Sequence, residues 1–288
     1  MDRILLPTDF SPSSGKALHY AVHLFKGQPC TFRLLNTYTP NFINSRVMAM
    51  SSLETQGEDT GQEQSEVGLL KTVNALNLAY PDSGITFETL SSFSLLPEEI
   101  REHVDTGQIQ LIVTGTRGGF QEVYLGSNTV RILKAAGHIP VLVIPKEAKV
   151  KIPKRLGFVT DFTSAFTGAQ LNYLHFFTTR HQSKLVVLHP DTPSEMNRLQ
   201  QMHKRQLDLE LALLQPEMQR IKEFENLTDT LQGALHQYAI DLLVVTRNEQ
   251  YFPDSWLHQP VVKRMVFHTN VPLLILPHGE IAERAFPE

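Results

Sequence analysis

Short apolar runs of strand length alternate with longer amphipathic segments of helical period along most of the chain. This alternation is typical of βαβ units, in which successive strands pair in parallel and helices connect them. The predicted fold class is therefore α/β with a mainly parallel sheet. In the first half the pattern predicts strands near residues 3–8, 31–37, 85–90, 109–114 and 140–144, and helices near 13–25, 65–79, 97–105 and 127–136.

The pattern of the first half returns in the second. Residues 155–177 repeat Arg, Thr, Asp, Phe, Ala, His and a final Phe of residues 3–25 at a constant offset of 152. Residues 242–277 match 110–145 without a gap at an offset of 132, so the second copy is shorter by 20 residues. The chain is a tandem duplication. It predicts strands near 155–160, 184–188, 220–225, 241–246 and 271–276, and a helix over Ser194–Leu214.

The repeat also sets the expected domain boundaries. We predict a first domain over residues 1–147 and a second over 155–288, joined by the linker 148–154 with its three lysines and Pro153. The residues missing from the second copy correspond to Asn44–Gln64, which is rich in Met, Ser, Gln, Gly and Glu and lacks an apolar period. Such a segment predicts a mobile loop that proteases cut first.

Composition excludes several classes of protein and of site. The net charge of -4 comes without a basic cluster, which argues against nucleic acid as a partner. A single cysteine allows neither an intrachain disulfide nor a cysteine metal cluster. His19 and His23 are four residues apart but have no evident third ligand, so no metal is expected. The apolar runs are too short for a signal peptide or a membrane span, which predicts a cytoplasmic location.

Four segments together carry a resemblance to a known family. They read ILLPTDFSPSSGKAL at the first strand, LIVTGTRG at the fourth, LGSNTVRIL at the last helix and HIPVLVIP at the fifth strand. The chain resembles the universal stress protein superfamily in its tandem two-domain form. The resemblance implies two tandem Rossmann-like domains of the adenine nucleotide alpha-hydrolase-like type, each a five-stranded parallel sheet with helices on both faces. In many members ATP or AMP binds beyond the carboxyl ends of the strands.

The resemblance also has consequences for assembly. In the family the fifth strands pair edge to edge between subunits, and this chain holds both candidates, Val141–Ile144 and Leu273–Leu276. We therefore expect the two halves to form an intramolecular pseudo-dimer that covers two exposed strand edges. A homodimer of the full chain is a further expectation.

The family's nucleotide signature is G-x-x-G, nine residues, then Gly followed by Ser or Thr. Glycines let the backbone pass close to ribose and phosphate, and the N–H groups at a helix start meet an anion. Here only seven residues separate Gly118 from Gly126, so the loop is two residues short and should hold AMP or ADP at least as well as ATP. The nucleotide contacts that the resemblance implies are Pro7, Thr8, Asp9 and Asn36 on the adenosine side, and Gly115, Arg117, Gly118, Gly126, Ser127 and Asn128 on the phosphate side.

Several of these residues also have an interpretation without a ligand. The glycines suit a tight βα turn, and Ser127 suits a helix N-cap. Arg117 can pair with a phosphate or with Glu122. Asp9 can face the adenosine or hold an Asx-type turn, and the second copy retains this acid as Asp161 although its glycine loop is gone.

The second copy departs from the signature. Arg247–Gln250 replace Gly115–Gly118, and Pro260 removes a backbone donor where Asn128 stands in the first copy. The expectation is therefore a stress-response protein that binds an adenine nucleotide in the first domain only. The alternative is a scaffold or interaction protein of the same fold that binds no nucleotide. No catalytic residue is expected, since the P-loop, H-E-x-x-H and G-x-S-x-G motifs do not occur in the sequence.

Overall fold

A computed structural model describes residues 3–39, 57–116, 128–191, 195–222, 227–246 and 270–277. These residues belong to two compact units. One unit contains the described residues of Met1–Thr114 and Tyr124–Gly137, and the other those of Gly115–Val123 and His138–Glu288. The predicted domain boundaries rest on the sequence repeat and stay a prediction.

The secondary structure follows the predicted alternation in both copies. The first copy contains β1 (Arg3–Pro7), α1 (Pro12–Phe25), β2 (Cys30–Tyr38), α2 (Gly57–Ala79), β3 (Ile85–Phe93), α3 (Leu96–Asp105), β4 (Leu111–Thr116), α4 (Asn128–Ala135) and β5 (Val141–Pro145). The second copy contains β6 (Arg155–Val159), α5 (Gly168–His181), β7 (Lys184–Asp191), α6 (Arg198–Glu210), a 3₁₀ turn (Ala212–Leu214), β8 (Glu217–Lys222), α7 (Leu227–Gln237), β9 (Leu242–Thr246) and β10 (Leu273–Leu276).

Parallel pairing dominates the strands of both copies. In the first, β1 lies between β2 and β4 and β3 pairs with β2, all in parallel. In the second, β8, β7, β6, β9 and β10 follow one another as five parallel strands. Within the second unit β5 pairs with β10 in the antiparallel sense, with Leu142 opposite Leu274. The predicted α/β fold is confirmed, whereas the pseudo-dimer stays a prediction.

Strand burial explains why the strands could be located from sequence. Every residue of β5 and β10 is buried, as are Ile4, Leu5 and Leu6 of β1. Strands of a parallel sheet are covered on both faces, so they appear as continuous apolar runs rather than as alternation.

Local signals start three of the helices. Ser11 caps α1 by accepting a hydrogen bond from the Ser14 N–H. Helices α5 and α6 begin with capping boxes, in which Thr167 and Asn197 each exchange hydrogen bonds with the Gln three residues later. The start of α6 is therefore set at Asn197, and the helix ends at Glu210 within the predicted range.

Two predicted boundaries were wrong. Helix α2 starts at Gly57, so residues 57–64 are helical although the sequence predicted a loop there. These residues lack an apolar face, but a Cβ on Gly61 would lie only 3.2 Å from the Tyr38 ring, so the glycine lets the helix approach that ring closely. The rest of the predicted loop, 44–56, lies outside the described residues. Strand β8 covers 217–222 rather than 220–225, because Glu217 pairs with Val186 of β7.

Candidate functional site

A tight turn follows β1 at the carboxyl end of that strand. The Thr8 N–H donates to the Leu35 carbonyl at 2.8 Å and so continues the β1–β2 pairing. The Phe10 N–H then donates to the Thr8 hydroxyl, and the Ser11 N–H to the Asp9 carboxylate, both at 3.1 Å. Phe10, between these two hydrogen bonds, has a φ of 59°, in the left-handed region that residues other than glycine rarely adopt. Asp9 thus holds an Asx turn.

Hydroxyl groups fill the space between this turn and the first turn of α1. The Thr8 hydroxyl donates to the Ser14 hydroxyl at 3.1 Å, and Ser14 in turn donates to the Ser11 carbonyl at 2.9 Å. Thr8 and Ser14 are buried, whereas Asp9 is exposed at the edge. The turn is therefore fixed from beneath and presents its carboxylate outward.

The pKa of the Asp9 carboxyl lies below its ordinary value. Burial raises this pKa, but the hydrogen bonds from the side chain and N–H of Ser11 and from the side chain of Ser14 outweigh burial. Asp9 is therefore ionised at neutral pH. An ionised carboxylate accepts hydrogen bonds and cannot donate them, which sets the kind of group that it can bind.

Asn36 ties the end of β2 to the same turn. Its side-chain Nδ2 donates to the Thr8 carbonyl at 2.7 Å. Pro7, the last residue of β1, pairs with Leu35 directly before it. The structure therefore brings the predicted adenosine-side residues Pro7, Thr8, Asp9 and Asn36 together at the carboxyl ends of β1 and β2.

The predicted phosphate-side residues are only partly described. Gly115 lies one residue before the end of β4, and the exposed Asn128 begins α4. The other four predicted residues, Arg117, Gly118, Gly126 and Ser127, lie outside the described residues. Sequence reasoning missed Thr116, whose buried hydroxyl has no hydrogen-bond partner among the residues that the structure describes.

A second feature that the sequence did not indicate is the packing of Phe10. A Cβ built on Gly68 of α2 would lie 2.5 Å from the Phe10 ring, so this glycine is what allows the ring to rest on the helix backbone. Phe10 nevertheless remains 41% exposed. Tyr38 at the end of β2 packs its ring near that of Phe93, with ring centroids 5.6 Å apart. Aromatic side chains thus line the strand ends beside the turn.

The second copy builds the same turn. The Phe162 N–H donates to the Thr160 hydroxyl and the Thr163 N–H to the Asp161 carboxylate, both at 3.0 Å. Phe162 has the same φ of 59° as Phe10. His189 takes the place of Asn36 in strand register, and its Nδ1–H donates to the Thr160 carbonyl at 3.1 Å.

What differs is the cover over the second turn. Helix α6 reaches it with two side chains: Gln200 Nε2 donates to the Asp161 carbonyl at 3.0 Å, and His203 Nδ1–H to the Phe162 carbonyl at 2.9 Å. The Phe162 ring is only 1% exposed and its centroid lies 4.8 Å from that of His189. The second turn is closed, whereas the turn at Asp9 and Phe10 is open.

Comparison with known proteins identifies the family. The profile of the universal stress protein family matches residues 1–145 of this chain. The chain belongs to the universal stress protein family. Universal stress protein YxiE of Bacillus subtilis (strain 168) is 30% identical over 152 residues, which cover 50% of this chain and 98% of that protein.

Solved structures extend the likeness of fold across both copies. A universal stress protein from Archaeoglobus fulgidus DSM 4304 superposes with a TM-score of 0.68 at 16% identity, over 96% of this chain and 98% of that one. The cytoplasmic domain of a prokaryotic cation chloride cotransporter superposes with a TM-score of 0.56 at 10% identity, over 99% and 98% of the two chains. At these identities the likeness concerns the fold alone.

The remaining chemistry of the described residues is modest. No group of three His, Cys, Asp or Glu side chains within them could hold a metal ion, and none of their helices is long and apolar enough to cross a membrane. His19 Nδ1 lies 2.8 Å from the Tyr80 hydroxyl, and His23 Nδ1–H donates to the His19 carbonyl. Burial, with the nearby charge of His23, lowers the pKa of His19.

Proposed function

We propose that this universal stress protein binds an adenine nucleotide, AMP, ADP or ATP, through its first copy only and acts as a regulatory stress-response protein. One observation carries the proposal. The turn at the carboxyl end of β1 is open, whereas α6 covers its equivalent in the second copy, and ligands of open α/β sheets bind outside the carboxyl ends of the strands.

The adenosine side of the proposed site uses Pro7, Thr8, Asp9 and Asn36. Because Asp9 is ionised, its carboxylate can accept hydrogen bonds from ribose hydroxyls or from an amino group of the base. One carboxylate oxygen also accepts the Ser11 N–H, so the acceptor is held in a defined orientation before ligand arrives. This preorganisation lowers the entropy cost of binding.

The phosphate side of the proposed site uses Gly115, Arg117, Gly118, Gly126, Ser127 and Asn128. Free N–H groups at the start of α4 would meet the phosphates, with Arg117 as a further cation. The loop is two residues shorter than the family's signature and offers fewer donors to a γ-phosphate. We therefore expect AMP and ADP to bind at least as tightly as ATP.

In this proposal the protein binds the nucleotide but does not hydrolyse it. No catalytic residue, metal ion, nucleic acid or membrane is assigned to the function, and the proposed location is the cytoplasm. The pairing of the two copies as a pseudo-dimer through β5 and β10 belongs to the same proposal. It is supported by the antiparallel register of Leu142 with Leu274.

A second candidate function is a scaffold that binds partners but no nucleotide. The observation that favours it is that the two copies have the same Asx turn. Asp161 accepts the N–H two residues later, as Asp9 does, although the second copy has no glycine loop. Asp9 is then a structural residue, and the glycines are turn residues.

Calorimetry on the full chain separates the two candidates. The nucleotide proposal expects one molecule of AMP or ADP per chain. Asp9→Asn keeps an acceptor for the Ser11 N–H but removes the charge, and it should weaken binding about tenfold or more. The matched control Asp161→Asn makes the same change in the closed turn and should leave affinity unchanged. Absence of heat and of thermal stabilisation at millimolar nucleotide would favour the scaffold.

A substitution in the loop tests the phosphate side, and a kinetic assay tests turnover. Gly126→Val should abolish binding while leaving the circular dichroism spectrum unchanged, because a side chain would fill the space through which the backbone approaches the phosphates.

Purified protein incubated with ATP should release no phosphate above the buffer rate. Sustained release that is lost in Asp9→Asn would replace the binding proposal with an enzymatic one.

A further inference from the structure

Helix α6 presents an apolar face to solvent, and we propose that it docks on the same helix of a second copy of this chain, in parallel orientation. The face consists of Leu199, Met202 and Leu209, with Leu213 in the following 3₁₀ turn; we name these four residues the α6 stripe. Each is more than half exposed, from Leu199 at 53% to Leu213 at 91%. Single exposed apolar side chains are ordinary, but four along one line are not.

The stripe lies on the side of the helix that faces away from the core. Leu207 of α6 and Leu211 directly after it are each only 1% exposed, so they mark the side of the helix that packs on the core. The stripe residues instead follow the spacing three, seven, then four from Leu199, with Gln206 at the intermediate position. This is the a and d pattern of a heptad, with Leu199, Gln206 and Leu213 at a and Met202 and Leu209 at d. Such a narrow apolar line fits another helix rather than a sheet.

Charges on the two flanks of the stripe decide the orientation of that helix. Arg198 and Arg205 occupy g positions on one flank. On the other flank His203 and Glu210 occupy e positions, and His203 is already bound to the Phe162 carbonyl of its own chain. In a parallel pair, a g residue lies beside the e residue five positions later in the partner, so Arg205 of each chain would meet Glu210 of the other. In an antiparallel pair, arginine would lie beside arginine. The helix is therefore complementary to itself only in parallel.

Gln206 points to the same orientation. In a parallel pair, residues at a positions face each other, so the two Gln206 side chains can exchange amide hydrogen bonds across the dimer axis. In an antiparallel pair, a faces d, and the amide would lie against methionine or leucine without a partner. A polar residue at a single a position lowers stability but selects one register.

The charges on the flanks are available for this contact. Within the described part of the chain, neither the Arg205 nor the Glu210 side chain takes part in an ion pair. The ion pair inside the helix joins Lys204 to Asp208 at 2.6 Å, away from the stripe. The contact is only two heptads long, which is small for a stable interface, so the dimer should be weak and concentration-dependent.

Sedimentation velocity on the full chain over a range of concentrations tests the proposal without any nucleotide. The wild-type chain should shift from monomer to dimer as its concentration rises. Leu209→Glu should abolish the shift, whereas the matched control Leu78→Glu, at an exposed leucine of α2, should leave it unchanged. A monomer at every concentration, or a dimer that Leu209→Glu does not affect, overturns the proposal.

Charge exchange tests the parallel orientation. Arg205→Glu and Glu210→Arg alone should each weaken dimerisation about tenfold, because two attractive pairs become repulsive. The double variant should regain it, and an equimolar mixture of the single variants should form a heterodimer, since both g–e pairs are then opposite in charge. Equal dimerisation by all variants overturns the orientation.

Vesicle binding tests the alternative occupant of the stripe. If the chain stays monomeric, sediments together with phosphatidylserine vesicles and loses that binding in Leu209→Glu, the stripe binds a lipid surface and the proposal is overturned.

Discussion

The two Thr-Asp-Phe turns of this protein have the same backbone and different surroundings. Both place phenylalanine at a φ of 59°, and both use the aspartate to accept the N–H two residues later. In the first copy the Phe10 ring rests on Gly68 and stays 41% exposed, whereas in the second copy Phe162 is only 1% exposed. Duplication thus preserved a local structure, and the element packed on it determines how exposed the turn is.

The largest difference should appear when the two phenylalanines are shortened. Phe162→Ala removes a fully buried ring and should lower the free energy of unfolding by about 3–5 kcal/mol. Phe10→Ala removes a half-exposed ring and should cost about 1 kcal/mol. Chemical denaturation followed by circular dichroism measures both. Equal losses for the two variants would show that the two rings are equally packed in solution.

Acid should destabilise the second copy through a buried histidine at the end of α5. Burial, then the charges of Arg180 and Lys154, lower the pKa of His181 to about 4 from an ordinary value of 6.5. Because the unfolded chain binds this proton more tightly, the free energy of unfolding should fall by about 3 kcal/mol as the pH drops through that range.

The histidine can be tested directly. His181 Nε2 is buried without a hydrogen-bond partner among the described residues, so His181→Leu should fold and should reduce the loss of stability between pH 6.5 and 4. The exposed His236→Asn is the control and should leave the pH dependence as in the parent chain. Unfolding midpoints measured at stepped pH give the comparison. An unaltered pH profile in His181→Leu would contradict the assignment.

The packing of the Phe10 ring on α2 depends on the absence of a side chain at Gly68. Gly68→Ala should displace the Phe10 ring and lower the free energy of unfolding by about 1–2 kcal/mol, because the added Cβ would lie 2.5 Å from that ring. Gly15→Ala in α1, where nothing lies within 4 Å of the new Cβ, should be neutral or stabilising. In a chain that already carries Phe10→Ala, Gly68→Ala should cost little more, because the ring that the new Cβ would meet is gone; a fully additive double variant would contradict the contact.

The smallest change in stability should come from replacing Asn36 or His189. Each lies near the end of the second strand of its copy and donates a hydrogen bond to a carbonyl of the turn. Asn36→Ala removes one donor to the Thr8 carbonyl and should cost about 1 kcal/mol. His189→Asn supplies the first copy's residue to the second and should keep that hydrogen bond while losing the contact with Phe162. Denaturation midpoints compare the two. A His189→Asn loss far larger than that of Asn36→Ala would show that the imidazole itself is required.

Much of the sheet could be predicted because its strands are buried on both faces. The apolar runs at Ile4–Leu6, Val141–Ile144 and Leu273–Leu276 are almost fully buried, as expected for strands that are covered on both faces. The polar segments misled the prediction. Residues 57–64 form the first turns of α2, where Gly61 lies against the Tyr38 ring, and β8 starts at Glu217 in register with β7. Neither contact leaves an apolar period in the sequence.

The candidate site also contains features that the sequence predicted and features that only the structure showed. The turn at Asp9 could be inferred, since an aspartate two residues before Ser11 favours an Asx turn and the second copy repeats it. That His189 is the counterpart of Asn36 and binds the Thr160 carbonyl could be found only from strand register. The offset between the two copies changes from 152 to 132 along the chain, so the sequence alone does not align the residues between their ends. Whether nucleotide binds stays a prediction for the experiments above.

The sequence by itself determined the duplicated α/β alternation and the hydrogen-bonded turn after each first strand, because these depend on neighbouring residues and on the burial of apolar runs. Tertiary structure alone decided that Gln200 and His203 reach over one turn, while the Phe10 ring of the other turn rests on Gly68 and stays 41% exposed. Those contacts join residues about forty or more positions apart, and they depend on where α2 and α6 pack. No local pattern of polar and apolar residues encodes that placement.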